Sequence, residues 1–142
     1  DEHWTRGPAG SIASIKWCEK IADYAKTVWP TSKYIFGLPF YGRTWGSEPV
    51  TKAYAFNGMN RLAHEKDVVK IEREDGVPHY TYKTEVTVKG WYEDAYSNVV
   101  RSRMYQEKGY DCIAFWRMGQ EDEAVWDWKK KKKTGLKPYT QD

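Results

Sequence analysis

Two short apolar runs do not alternate: Tyr34-Ile35-Phe36-Gly37-Leu38-Pro39-Phe40 and Cys112-Ile113-Ala114-Phe115-Trp116. A strand sends successive side chains to opposite faces, so a run that is apolar throughout needs cover on both, as in a parallel sheet flanked by helices. Pro39 removes a ladder donor, which argues that the first strand bends or ends there. The segment between the runs reads differently. Asp75-Gly76 is a two-residue hairpin signal, and Tyr80, Tyr82, Val86 and Val88 alternate with polar neighbours, as in an antiparallel meander with one wet face. Two doubly covered strands therefore bracket an antiparallel insert.

Helices complete the pattern. Ile15, Cys18, Ile21, Ala22, Ala25 and Val28 recur at helical spacing, with Ser11 or Ser14 able to cap the start and Pro30 ending it, so a helix is expected over Ser11 to Trp29. A second is expected in "NGMNRLAHEKD". A third should run from an Asp94 cap to about Lys108, with Tyr96, Val99, Val100 and Met104 on one side and Gly109 as its stop. "GQEDEAVWDWKKKKK" reads as a short helix that begins with acids and ends with lysines, which suits the helix dipole. The lysines 129–133 then form a solvated helix end rather than a polyanion site. The order strand, insert, strand, with helices before and after, is that of consecutive β/α units carrying an inserted domain.

Composition narrows the function. The chain has 142 residues, enough for a core of its own, and 16% of them are aromatic, including 8 Trp and 11 Tyr. Such a surplus of amphipathic rings suits a cleft for sugars or nucleobases. A net charge of +3 favours neither nucleic acid nor a membrane, and no apolar run approaches the roughly 20 residues of a membrane span. Asp-Glu-His-Trp at the start lacks the basic and apolar regions of a secretory signal, so any export signal would lie outside the chain. Cys18 and Cys112 are expected to be buried small hydrophobes. His3, His64 and His79 have no ligand spacing, so no metal and no cofactor is expected.

Four ordered stretches, "DEHW", "GLPFYGRTW", "GWYEDAYS" and "CIAFWRMGQED", resemble the C-terminal part of family 18 glycoside hydrolases, the chitinase-like (β/α)8 barrels, and most nearly the bacterial cell-wall and spore-wall lytic members. The resemblance implies an α/β, or mixed α+β, fold: the last part of a TIM barrel, with strands seven and eight and their flanking helices. Residues 1–50 would form partial barrel, 51–109 an inserted α+β domain with an antiparallel sheet, and 110–142 the eighth strand and C-terminal helix. A full barrel takes about 250 residues, more than this chain supplies.

The same resemblance implies the site. Asp1 would close the sixth-strand motif Met-x-Tyr-Asp, Tyr41 and Arg43 would stand at the carboxyl rim of strand seven, and Trp116 would floor the sugar subsite at the cleavage point. Without the resemblance an indole ending an apolar run is more often core, Tyr41 could be ordinary packing, and Arg43 could simply pair with Asp1 or Glu48. "WYED" reads as a strand end and helix cap. In this family the acetamido oxygen of N-acetylglucosamine attacks its own anomeric carbon while a Glu protonates the leaving oxygen, an exception to the two-carboxylate scheme. Those acids stand in a DxxDxDxE motif. No Asp-x-Asp-x-Glu occurs here, so no catalytic residue is assigned, the acid is expected upstream, and this chain by itself is expected to be inactive.

The leading expectation is thus part of a glycosidase acting on β-1,4-linked N-acetylglucosamine polymers, chitin or the peptidoglycan glycan, outside the cell or in the spore envelope. A chitinase-like lectin that binds without cleaving is the alternative. A domain for single-stranded nucleic acid fits the aromatics and lysines but has no supporting motif. The partners expected are the polysaccharide and either the rest of the barrel or a second copy, since the strand faces need cover.

Overall fold

The computed structural model describes residues 1–4, 6–46, 52–84 and 87–130. Helix α1 spans Ile15–Val28. Its start is closed twice: the Ser14 hydroxyl accepts the Trp17 N–H at 3.3 Å, and the Glu2 carboxylate accepts both the N–H and the hydroxyl of Ser14, at 2.7 and 3.0 Å. Cys18, Ala22 and Ala25 are buried. Val28, expected on the same face, is 48% exposed, because it lies about 120° around the helix from Ala22.

After a single 3₁₀ turn at Thr31–Lys33, β1 (Phe36–Pro39) pairs in parallel with β7 (Ile113–Trp116), Phe36 opposite Ile113 and Pro39 opposite Trp116. Their helix-side residues Phe36, Leu38, Ile113 and Phe115 join Cys18, Ala22, Met104, Tyr105 and Tyr110 in one core cluster. The other face, with Gly37, Ala114 and Trp116, is exposed. The expectation of strands covered on both faces is therefore corrected: among the described residues this sheet has two strands, and helices cover one side only.

The expected single strand "GLPFYGR" is two strands in two sheets. Pro39 ends β1, and Phe40 turns into the core, stacking on Phe115 with centroids 4.5 Å apart while its N–H donates to Trp116 O at 2.8 Å. Strand β2 (Tyr41–Trp45) then joins an antiparallel sheet with β3 (Ala53–Ala55), β4 (Glu72–Glu74), β5 (Val77–Lys83) and β6 (Thr87–Trp91), in the order β3-β2-β6-β5-β4. Asp75 and Gly76 make the tight turn at φ 49° and 81°, the positive values a two-residue hairpin demands. Helix α2 (Phe56–Glu65) lays Phe56, Met59 and Ala63 on Tyr80 and Tyr92, covering one face of the sheet. Val86 and position 51 lie outside the described residues.

Helix α3 (Ala95–Glu107) begins with a capping box: Asp94 accepts the Ser97 N–H at 2.9 Å, and the Ser97 hydroxyl accepts the Asp94 N–H at 3.1 Å. Gly109, at φ 89°, follows its end. Val99 and Met104 are buried as expected, but Tyr96 and Val100 are half-buried, and the deeply buried face is polar: Ser97, Asn98, Arg101 and Ser102. The cause is Glu93, which at 1% exposure forms an ion pair through both carboxylate oxygens with Arg101 at 0%. Helix α3 packs on the α1 layer through Met104 and Tyr105. Helix α4 (Val125–Lys130) follows a turn holding Glu121, Asp122 and Glu123. Asp122 accepts the N–H groups of Ala124 and Ala95. Lysines 131–133 lie outside the described residues.

One cysteine expectation is also corrected. Cys18 is buried but Cys112 is exposed, because it stands in the connection before β7, where its carbonyl accepts the Phe36 N–H. Among the described residues no helix is long and apolar enough to cross a membrane.

Candidate functional site

At the carboxyl end of the two-stranded sheet the chain passes from one layer to the other, and three of the four expected site residues bond directly. The Tyr41 hydroxyl donates to Asp1 Oδ1 at 2.6 Å, and Arg43 Nη2 donates to Asp1 Oδ2 at 2.8 Å. Tyr41 and Arg43 are two apart on β2, so both point to one face of the five-stranded sheet, and one carboxylate can bridge them. Of the two simple ion-pair partners named for Arg43, Asp1 is the one it bonds, and Glu48 lies outside the described residues.

Trp116 ends β7 opposite Pro39 and is 70% exposed, so it is not a core indole. With Asp1, Tyr41, Pro39 and Trp17 it lines an open groove of about 170 Å³. Arg43 does not line that groove but sits behind Asp1, its guanidinium 5.2 Å from the Trp4 ring and 5.5 Å from the Tyr41 ring. Its Nε is buried with no hydrogen-bond partner.

The segment that carries Asp1 is braced rather than loose. Besides the Glu2–Ser14 bonds, the Glu2 N–H donates to Ile12 O at 2.7 Å and His3 Nδ1 lies 2.7 Å from Ser11 O. Gly10 makes room for this, since a Cβ there would come within 2.7 Å of the His3 ring. Trp45 Nε1 donates to Trp4 O at 3.1 Å, tying the same segment to β2.

Two residues at the site carried no role in the sequence reading. Trp4, 64% exposed beside Arg43, was visible only as part of the "DEHW" stretch, and Trp17 reaches the groove from the first turn of α1, where helical spacing alone gave it no task. "WYED" proves to be a strand end and cap: Trp91 closes β6, stacked on His79 at 4.8 Å, and Tyr92 is buried under α2. Burial holds the His79 imidazole below its ordinary pKa.

The arrangement combines an exposed indole face with a phenol, a carboxylate and a guanidinium locked to each other. Such a surface can stack a ring with apolar C–H faces and hydrogen-bond its rim, which suits a neutral polyhydroxylated ligand. Asp1 is already committed to two donors. No group of three or more His, Cys, Asp or Glu side chains that could hold a metal occurs among the described residues.

No protein-family model matches the chain. It is 28% identical over 134 residues to the cortical fragment-lytic enzymes of Bacillus anthracis and Bacillus cereus, an alignment that covers 89% of this chain and 31% of each of those. The chain therefore spans about a third of the length of these curated relatives. The crystal structure of the Bacillus cereus spore cortex-lytic enzyme SleL superposes with a TM-score of 0.78 at 28% identity, covering 89% of this chain and 32% of that one. A chitinase from Chromobacterium violaceum reaches 0.81 at 22% identity over 92% of this chain and 42% of its own, a likeness of fold alone. In sequence the chain is similar to spore cortex-lytic enzymes, and its mixed α/β fold matches part of chitinase-like proteins.

Proposed function

We propose that this chain forms the last third of a (β/α)8 glycosidase of the family 18 type, with β1 and β7 as its seventh and eighth strands, and that its groove is part of a glycan cleft. The observation that carries the reading is the exposed Trp116 at the carboxyl end of a parallel strand pair, beside the bonded Asp1–Tyr41–Arg43 group. That is the end at which parallel α/β folds bind their ligands. Trp116 supplies a stacking platform and Tyr41 and Asp1 supply the polar rim, while Arg43, behind Asp1, holds that carboxylate in place. The inserted unit is read as running from about Tyr41 to Tyr92, a narrower range than 51–109 at its end and a wider one at its start, a reading supported by the pairing of β2 within the antiparallel sheet and the packing of α3 on α1.

The substrate class is a β-1,4-linked N-acetylglucosamine polymer, cortex peptidoglycan or chitin, and the setting a spore or cell wall. The similarity to cortical fragment-lytic enzymes supports peptidoglycan first. The acid of a substrate-assisted retaining mechanism comes from another part of the protein. The lectin reading keeps the same groove without turnover.

The test is titration of chito-oligosaccharides and cortex muropeptides against the full-length protein, with cleavage assayed in parallel. Trp116→Ala should weaken binding about tenfold, the effect of losing roughly 1.4 kcal/mol. Unchanged affinity in that variant overturns the site, and binding without cleavage by the wild type selects the lectin.

A further inference from the structure

The antiparallel sheet is joined to the helical layer by two covalent crossings, Phe40 between β1 and β2 and the Tyr92–Asp94 link between β6 and α3. Strands β2 and β6 are neighbours. On β2 the bonds of Tyr41 and Arg43 to Asp1 and of Trp45 to Trp4 O add to this, and on the β3 side the Phe56 N–H donates to Gln120 O at 2.9 Å. The far side, β5 and β4, needs a tie of its own, since rocking there would shift Tyr41 and Arg43 relative to Trp116.

That tie lies at the Asp75–Gly76 turn between β4 and β5, one to two strand spacings or about 5–10 Å beyond β6. Asp75 Oδ2 accepts the Lys16 N–H, in the first turn of α1, at 2.7 Å. The carboxylate thus meets an otherwise unpaired helix donor at the positive end of the dipole. Gly76 lies against Ile15, where a Cβ would come within 2.7 Å of Cδ1. Arg73 donates to Gly76 O at 2.9 Å, forms an ion pair with Asp94, the cap of α3, and lies 5.0 Å from the Tyr96 ring. With side-chain exposures of 20% for Arg73 and 1% for Asp94, this pair is far better shielded than an ordinary surface ion pair.

We infer that the Asp75–Gly76 turn is a latch that seats the inserted sheet on the N-termini of α1 and α3, and that Arg73 and Asp75 are positioning residues for the wall that carries Tyr41 and Arg43. The latch stands on the geometry above, and its consequence for ligand rests on the carbohydrate reading.

The test uses Asp75→Gly in the full-length protein, since glycine suits the positive φ and keeps the turn while removing the carboxylate. Asp67→Gly, the same exchange at another positive-φ position just past α2, is the control. Amide residual dipolar couplings should fit one alignment tensor for the sheet and for α1 and α3 in the wild type and in Asp67→Gly. In Asp75→Gly the sheet should align more weakly than the helices, and chitotetraose binding should weaken about three- to tenfold. Arg73→Gln gives the same readout should Asp75→Gly fail to fold. A single tensor in Asp75→Gly, or an equal loss of alignment in Asp67→Gly, overturns the latch. A wild type that binds no oligosaccharide removes the carbohydrate reading, while the tensors still decide the latch.

Discussion

Replacing Arg101 by Met should be among the most damaging single changes available to this chain. Arg101 is fully buried, and its guanidinium donates to Ala13 O at 2.5 Å, Ser97 O at 3.2 Å, Asn98 Oδ1 at 3.4 Å and both oxygens of Glu93. The variant leaves the Glu93 carboxylate at 1% exposure with one remaining side-chain donor, the Ser97 hydroxyl at 2.7 Å. Breaking a buried pair by removing one partner costs about 3–5 kcal/mol, and the orphaned Ala13 carbonyl adds to that, so a loss of about 4 kcal/mol is expected. With a slope of about 2 kcal/mol/M, the urea midpoint followed by circular dichroism should fall by about 2 M. Burial already pushes the Glu93 carboxyl up, so Arg101→Met should also take up a proton there at a higher pH. The double variant Glu93→Leu/Arg101→Met removes the stranded charge and should recover about half the loss, a coupling that a double-mutant cycle reads directly. Should Arg101→Met unfold within about 1 kcal/mol of the wild type, or the double variant be no better than the single, the buried pair would not stabilise the polar face of α3.

Other changes test other joints. Gly42→Ala should cost about 3 kcal/mol or prevent folding, because its Cβ would lie 2.3 Å from Tyr92 Cβ and 2.7 Å from Trp91 O, whereas Gly58→Ala, 3.5 Å from Tyr54 inside α2, should stabilise by about 0.5–1 kcal/mol; thermal melts compare them. His79 has a folded pKa below its unfolded value, so its contribution is present above about pH 6.5 and is lost as pH falls through the folded value. Melting temperature should therefore drop from pH 7 to pH 5, and less so in His79→Phe. A thiol reagent should label Cys112 in the native protein at once and Cys18 only on unfolding, since burial both shields that thiol and pushes its pKa up.

What the chain's own order of residues determined was local. The hairpin at Asp75-Gly76 followed from turn chemistry and the ends of α1 and α3 from Ser14, Pro30, Asp94 and Gly109, whereas β1 and β7 pair in parallel as expected but without the two-sided cover from which that was argued. Tertiary structure alone decided which elements share a layer. Nothing in "GLPFYGR" marks Phe40 as the point where one sheet hands over to another, because that depends on Phe115 and Trp116, some 75 positions away, receiving its ring and its N–H. The buried face of α3 was likewise unreadable, since Arg101 and Glu93 are ordinary surface residues until each becomes the other's solvent. The site divides the same way. Asp1, Tyr41, Arg43 and Trp116 became candidates only through a resemblance, and a single carboxylate bridging a phenol and a guanidinium is a distance in space that spacing along a chain does not encode.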